Sequence, residues 1–311
     1  MSDPVFRDPR KAFGMAVSAI AEANENVVIL SADSGHSSGF KNFQAKHPDR
    51  YFELGIMEQG VVGVAAGLAT TGKIPVFCAI APFATLRPYE MLRNDVGYMR
   101  QNVKIVGRNS GITYSDLGST HHSLEDFAIM RMIPGFSVLA PQDPSEIEAA
   151  SAAILEHSGP VYMRIGNEPI PELFEPGEFK IGAGRVAREG KDVTIVSTGS
   201  ITGDVLAAAD ILAIQGISVE VVGMPTVWPL DRERLVASAA KTRRVVTVEE
   251  HYVYGGLGTI VQEAMNETVN VSVLKLGIPH GYATSGPYRQ ILAQYGLDAA
   301  GIAAQVSAFV I

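Results

Sequence analysis

Residues 51–69 read YFELGIMEQGVVGVAAGLA. From Gly60 onward every residue in that run is small or apolar, which suits a helix buried on most sides and extending from Glu58 to about Thr70. Gly60, Gly63 and Gly67 fall on one face of such a helix, and a face without side chains lets another backbone come close. Glu58 is the discordant residue. As a first-turn acid it can satisfy free backbone N–H groups at the positive end of the helix, but acids in that role are usually exposed, and this one enters apolar surroundings. Burial favours the neutral form of a carboxyl, and a neutral buried acid can donate a hydrogen bond or share a proton with a ligand nitrogen. Both readings stand on this stretch alone.

Around it the chain alternates. Short apolar runs at 27–32 (VVILSA), 74–80 (IPVFCAI), 103–108 (VKIVGR) and 136–141 (FSVLAP) read as buried strands, with helical patterns over 10–23 and 144–157 between them. That alternation predicts an α/β fold with a parallel sheet covered on both faces. Asp143 can cap the helix that Pro144 opens. Residues 165–189 carry three prolines with acids and glycines, and read as a linker passing into a hairpin. The alternation then restarts (DVTIVSTGS, ISVEVVGM, RRVVTVEE, VSVLKLG), so two doubly wound domains are expected, 1–180 and 181–311.

Composition removes several classes. A hydrophobic content of 47% with 19% charged residues argues against disorder. No run is long and apolar enough to span a bilayer, and the first residues lack a secretion signal. A net charge of −8 without a basic run makes nucleic acid and membranes poor partners. One cysteine, Cys78, excludes an internal disulfide framework and fits a cytoplasmic location.

The segments DPRKAFGMAV (8–17), LSADSGHSS (30–38), FELGIMEQGVVGVAAGLA (52–69), APFATLRPYEMLRND (81–95), GSTHHSLEDFAIMRMIPGFSVLAPQD (118–143) and VYMRIGN (161–167) resemble, in order, the pyrimidine-binding domain of transketolases. VTIVSTGS, VVTVEEHYVYGGLG and GYATSGPYRQILAQYGL resemble the C-terminal domain of that family. The resemblance spans nearly the whole chain. It implies that Glu58 contacts N1′ of the aminopyrimidine ring of thiamine diphosphate. Proton sharing there favours the imino form that activates C2 of the cofactor, which then serves as electron sink.

The resemblance implies further roles. Phe83 matches an aromatic that stacks on the ring; otherwise it is an ordinary core phenylalanine. Ile80 stands where the family has a second aromatic, keeping apolar contact without stacking, and Tyr89 could line the pocket. His121 matches a histidine that contacts substrate oxygens, suited to donating or accepting near neutral pH; a loop histidine is otherwise surface decoration. Arg10, Ser37 and Arg164 match residues around the substrate phosphate, for which an arginine fork is well shaped. His36, Asn109 and Asp116 complete the candidate substrate set. Asn109 replaces a family histidine, and Asp116 is followed by Leu117 where the family has a second acid, so an unusual acceptor sugar is allowed. His251 reads as structural, and residues 255–258 as a strand-to-helix turn.

The family's Gly-Asp-Gly segment, which holds the diphosphate through Mg²⁺, does not occur here. The chain therefore resembles one half of a cofactor site, with no metal ligands of its own, and the expected partner is an N-terminal transketolase subunit in an assembly of two copies of each. The expected activity is transfer of a two-carbon ketol unit between phosphosugars. The alternatives are a 2-oxoacid dehydrogenase beta subunit, a deoxyxylulose-phosphate-synthase-like enzyme, or a non-catalytic scaffold subunit.

Overall fold

A computed structural model describes residues 5–266 and 268–310. Two sheets form. The first runs, in spatial order, Thr226–Trp228, Ser137–Leu139, Val161–Arg164, Lys104–Arg108, Ile74–Ile80, Val27–Ser31 and Tyr51–Glu53. All its pairings are parallel except the edge strand Thr226–Trp228. The second runs Ser272–Ile278, Arg244–Tyr252, Val193–Ser197, Val219–Gly223 and Arg185–Arg188, again parallel except for the last.

The central strands are buried along almost their whole length because both faces are covered. Leu30, Phe77 and Ile105 face one layer of helices, while Ile29, Val76 and Val106 face the other, following the period of two along a strand. Helix Pro144–Glu156 starts where expected: the Asp143 side chain accepts from the Glu146 N–H, and Pro144 fills the first turn. Asp8 caps Pro9–Ala23 and Asp231 caps Arg232–Thr242 in the same way.

One expectation is corrected. The hairpin within 165–189 does not form: Ile170–Pro171 pairs antiparallel with Phe6–Arg7, and Arg185–Arg188 pairs with Val219–Gly223. Proline removes a ladder donor, so the Pro-rich segment supports only a two-residue edge pairing. Thr226–Trp228, from the second half of the chain, joins the first sheet as its antiparallel edge strand.

The halves are also joined by a buried polar network. Arg164, 4% exposed, donates to Asp126 (2.9 Å) and to the Glu250 carbonyl (3.0 Å), with its guanidinium 3.9 Å from the Phe127 ring centre. Tyr162 donates to the other Asp126 oxygen at 2.7 Å. Glu250 accepts from the Ile112 N–H and the Tyr288 hydroxyl. His251 stacks on Phe127 at 5.4 Å and bonds the Tyr252 carbonyl, a structural position. Glu249 accepts from the Leu257 and Gly258 N–H groups at the turn into helix Leu257–Asn266.

Removing one member of a buried ion pair leaves an uncompensated charge. Asp126→Ala is therefore expected to lower unfolding free energy by roughly 3 kcal/mol, read by chemical denaturation, and Asp126→Leu with Arg164→Met to recover most of that loss.

Candidate active site

The carboxyl ends of the parallel strands of the first sheet all open to one side, where α/β sheets bind ligands. The segments after Val27–Ser31, Tyr51–Glu53, Ile74–Ile80 and Lys104–Arg108 supply the candidate residues. Helix Glu58–Thr70 begins at this end, so Glu58 faces the opening although it is 3% exposed. Ala32, Asp33, Ser34 and Ile80 line a cleft of about 160 Å³ together with Glu58, Phe83 and Arg87.

The surroundings of Glu58 are not the purely apolar ones that its sequence neighbours alone suggest. Its Oε1 accepts from Arg87 Nη1 at 2.7 Å. A carboxylate removed from water needs a charged or hydrogen-bonded partner, and Arg87, just after the short helix Ala81–Thr85, supplies one. The same guanidinium sits over the Phe83 ring, its carbon 3.8 Å from the ring centre. Phe83 meets the His121 ring edge-on at 5.1 Å, and His121 meets Tyr114 at 5.5 Å. Glu58, Arg87, Phe83, Ile80 and His121 thus form one group drawn from three separate segments.

His121 is half-buried, with Nδ1 2.9 Å from the Thr120 hydroxyl. Burial, and secondarily the Arg87 charge, hold its pKa below the usual 6.5, so the imidazole is neutral at pH 7 and can accept or donate one hydrogen bond. Its loop is held by the second half of the chain: Ser119 Oγ donates to the Ala283 carbonyl, and the Gly286 N–H donates to the Ser115 carbonyl. Gly118 permits this contact. Its φ of 69° suits glycine, and a Cβ there would lie 3.1 Å from Ser285. The adjacent His122 is 4% exposed with neither ring nitrogen paired among the described residues, and burial pushes its pKa down to about 4.

Other expected residues are placed as follows. Arg10 is gripped by Asp8 (3.0 and 3.1 Å) and by Asn167 (2.7 Å). Ser37 is exposed and donates to the Ser34 carbonyl; His36 is exposed and bonds Gln44 at 2.7 Å. Asn109 is buried with φ 57° and accepts from Arg108. Tyr89 is drawn away from the cleft, donating to the Ile129 carbonyl at 2.9 Å. Asp116 is exposed on a separate cavity between the halves, which Tyr288 and Arg289 also line. Arg164 is committed to the domain junction and does not join this group.

Sequence reasoning missed Arg87, although it is the one basic residue in APFATLRPYEM, four positions after Phe83. It also missed Arg108, 5% exposed, whose Nε has no partner among the described residues and whose pKa is lowered by burial and by the nearby Arg10 charge. No helix among the described residues is long and apolar enough to cross a membrane, and no group of three or more His, Cys, Asp or Glu is placed to hold a metal.

Residues 7–170 match the transketolase pyrimidine-binding domain and residues 182–302 the transketolase C-terminal domain. The chain is 35% identical over 303 residues to one of the subunits of an apulose-4-phosphate transketolase from Phocaeicola vulgatus, covering 97% of each protein. It is 40% identical over 280 residues to the 6-deoxy-6-sulfo-D-fructose transketolase subunit SqwH of a Clostridium species, covering 90% of this chain and 87% of that one. Among solved structures it superposes on a split-gene transketolase described as an inactive beta4 tetramer. The TM-score is 0.90 at 40% identity, covering 96% of this chain and 97% of that one.

The buried His122 carries a pH signature. The unfolded chain takes up its proton near 6.5, while the folded chain resists until about 4, so stability falls as pH drops through that window. Denaturant titrations at pH 7 and pH 4.5 are expected to show a smaller acid-induced loss for His122→Asn than for the unaltered protein.

Proposed function

Because the chain belongs to the transketolase family and carries its pyrimidine-binding and C-terminal domains, we propose that it is one subunit of a split transketolase. It would move a two-carbon ketol unit between phosphosugars together with an N-terminal partner subunit. The observation that carries this reading is the juxtaposition of a buried carboxyl, Glu58, with the face of Phe83. The Arg87 guanidinium, a flat group that donates an N–H, fits between them; an aminopyrimidine ring is flat in the same way and, once it shares the proton at N1′, presents an N–H to the carboxylate. When bound, thiamine diphosphate supplies the nucleophilic carbon and the electron sink for the transfer.

This chain's residues have narrower tasks. Glu58 holds a proton at the ring nitrogen, and its burial keeps water from competing for that contact. Phe83 and Ile80 hold the ring from its apolar sides. The neutral His121 imidazole, at the edge of Phe83, hydrogen-bonds a substrate oxygen and can pass a proton there. Arg10, kept extended by Asp8 and Asn167, and Ser37 are assigned to the substrate phosphate, with His36 and Asn109 toward the sugar; Asp116, on the separate cavity between the halves, is left out of this set. The diphosphate and Mg²⁺ belong to the partner. The similarity to subunits named for a phosphosugar and a sulfosugar supports an anionic sugar substrate. A single buried cysteine supports a cytoplasmic location.

The assembly would contain two copies of each chain. The outer face of helix Glu58–Thr70 supports a contact between copies. A Cβ at Gly63 or Gly67 would meet nothing within 4 Å, and Ile56, Met57, Val64 and Leu86 around it are exposed. At Gly60 the added Cβ would meet the flexible Met57 side chain.

Two experiments follow. With the partner co-expressed, Glu58→Ala and Glu58→Gln are expected to lower ketol transfer by about 100-fold or more with assembly intact, while pyruvate decarboxylation stays absent. Retained transfer would point to a scaffold role, and decarboxylation to an oxoacid enzyme. Gly63→Glu, which improves helix propensity by up to about 1 kcal/mol, is expected to leave the melting temperature of the isolated chain unchanged or higher. Sedimentation should nevertheless show loss of self-association.

A further inference from the structure

We propose that Arg87 is a built-in occupant of the cofactor-ring seat: in the partner-free chain its guanidinium takes the face of Phe83 and the Glu58 carboxylate, and a docking ring must displace it. This rests on the function proposed above and adds a residue with an assigned competition.

Three observations carry it. The guanidinium makes both contacts a stacked heterocycle would make, a face-on approach to Phe83 at 3.8 Å and an N–H donated to Glu58 Oε1 at 2.7 Å. A guanidinium is planar and delocalised and stacks on aromatic faces as a ring does. Only one flat group can lie on that face of Phe83, whose edge is already taken by His121 at 5.1 Å.

The pair is also asymmetric in mobility. The Glu58 side chain is 4% exposed and sits at the first residue of helix Glu58–Thr70, whereas the Arg87 side chain is 39% exposed. The acid is fixed, and the arginine has room to swing toward solvent.

The arrangement has a physical rationale. Without a ring, Glu58 would be a buried charge with no partner, which destabilises a fold strongly. Arg87 removes that penalty while the chain waits for the other half of the site. Releasing it gives up a charge-assisted hydrogen bond and a cation–π contact, so the ring alone binds weakly, and the diphosphate contacts of the partner supply the difference. Cofactor binding is thereby tied to assembly, because a ring without an anchored diphosphate cannot outcompete the resident cation.

The test is calorimetric titration of thiamine diphosphate, with Mg²⁺ present, into the complex of this chain with its N-terminal partner. Arg87→Ala is expected to bind the cofactor on the order of tenfold more tightly than the unaltered complex, because the resident contacts no longer compete. Arg87→Lys, which keeps the charge but cannot lie flat on Phe83, is expected to fall between the two and serves if Arg87→Ala does not assemble. Equal or weaker affinity in the variants, with the unaltered complex binding normally, overturns the competition and leaves the proposed function standing. If the unaltered complex and both variants all fail to bind thiamine diphosphate, the proposed function falls and this inference with it.

Discussion

A carboxylate buried to 3% exposure has to be paired, and that requirement organises the site. Glu58 enters an apolar wall because helix Glu58–Thr70 starts at the carboxyl edge of the sheet, directly beneath the opening. Whatever fills that opening must offer the acid a donor and Phe83 a flat face. In the chain on its own, Arg87 does both. In an assembled enzyme an aminopyrimidine would take over the same two contacts. The cleft, the helix start and the aromatic are thus one device, and its chemistry follows from the cost of leaving a charge unpaired away from water.

The second half of the chain adds no group to the cleft itself, yet the cleft depends on it. Ala283 and Gly286 bond the loop that carries His121, and Ser285 packs against the one residue there with left-handed φ. Behind that loop, the buried Asp126–Arg164 ion pair belongs to the first half, and Arg164 ties it to the second by donating to the Glu250 carbonyl. The distance between His121 and Phe83 is therefore set partly by residues more than 150 positions away.

Much of this was legible in the sequence because it is local. Strand Ile74–Ile80 and helix Glu58–Thr70 have the bounds their patterns imply, since apolar periodicity and start signals lie within a few residues of one another. The Asp143 cap was visible for the same reason. Glu58 stood out because a charge in an apolar run is improbable without a purpose. What escaped was non-local. Arg87 pairs with an acid 29 residues back, and no periodicity marks such a pairing. Arg164 looked free for phosphate until Asp126 and a carbonyl from the other domain claimed it. The hairpin expected in 165–189 failed because the partners of its segments lie at the chain start and in the second sheet.

The most direct measurement is a crystal structure of this chain assembled with its N-terminal partner and thiamine diphosphate. The ring nitrogen is expected within hydrogen-bond distance of Glu58, the ring stacked on Phe83, and the Arg87 guanidinium turned away from both. A cofactor bound elsewhere, with Glu58 and Arg87 still paired across the face of Phe83, would contradict that arrangement.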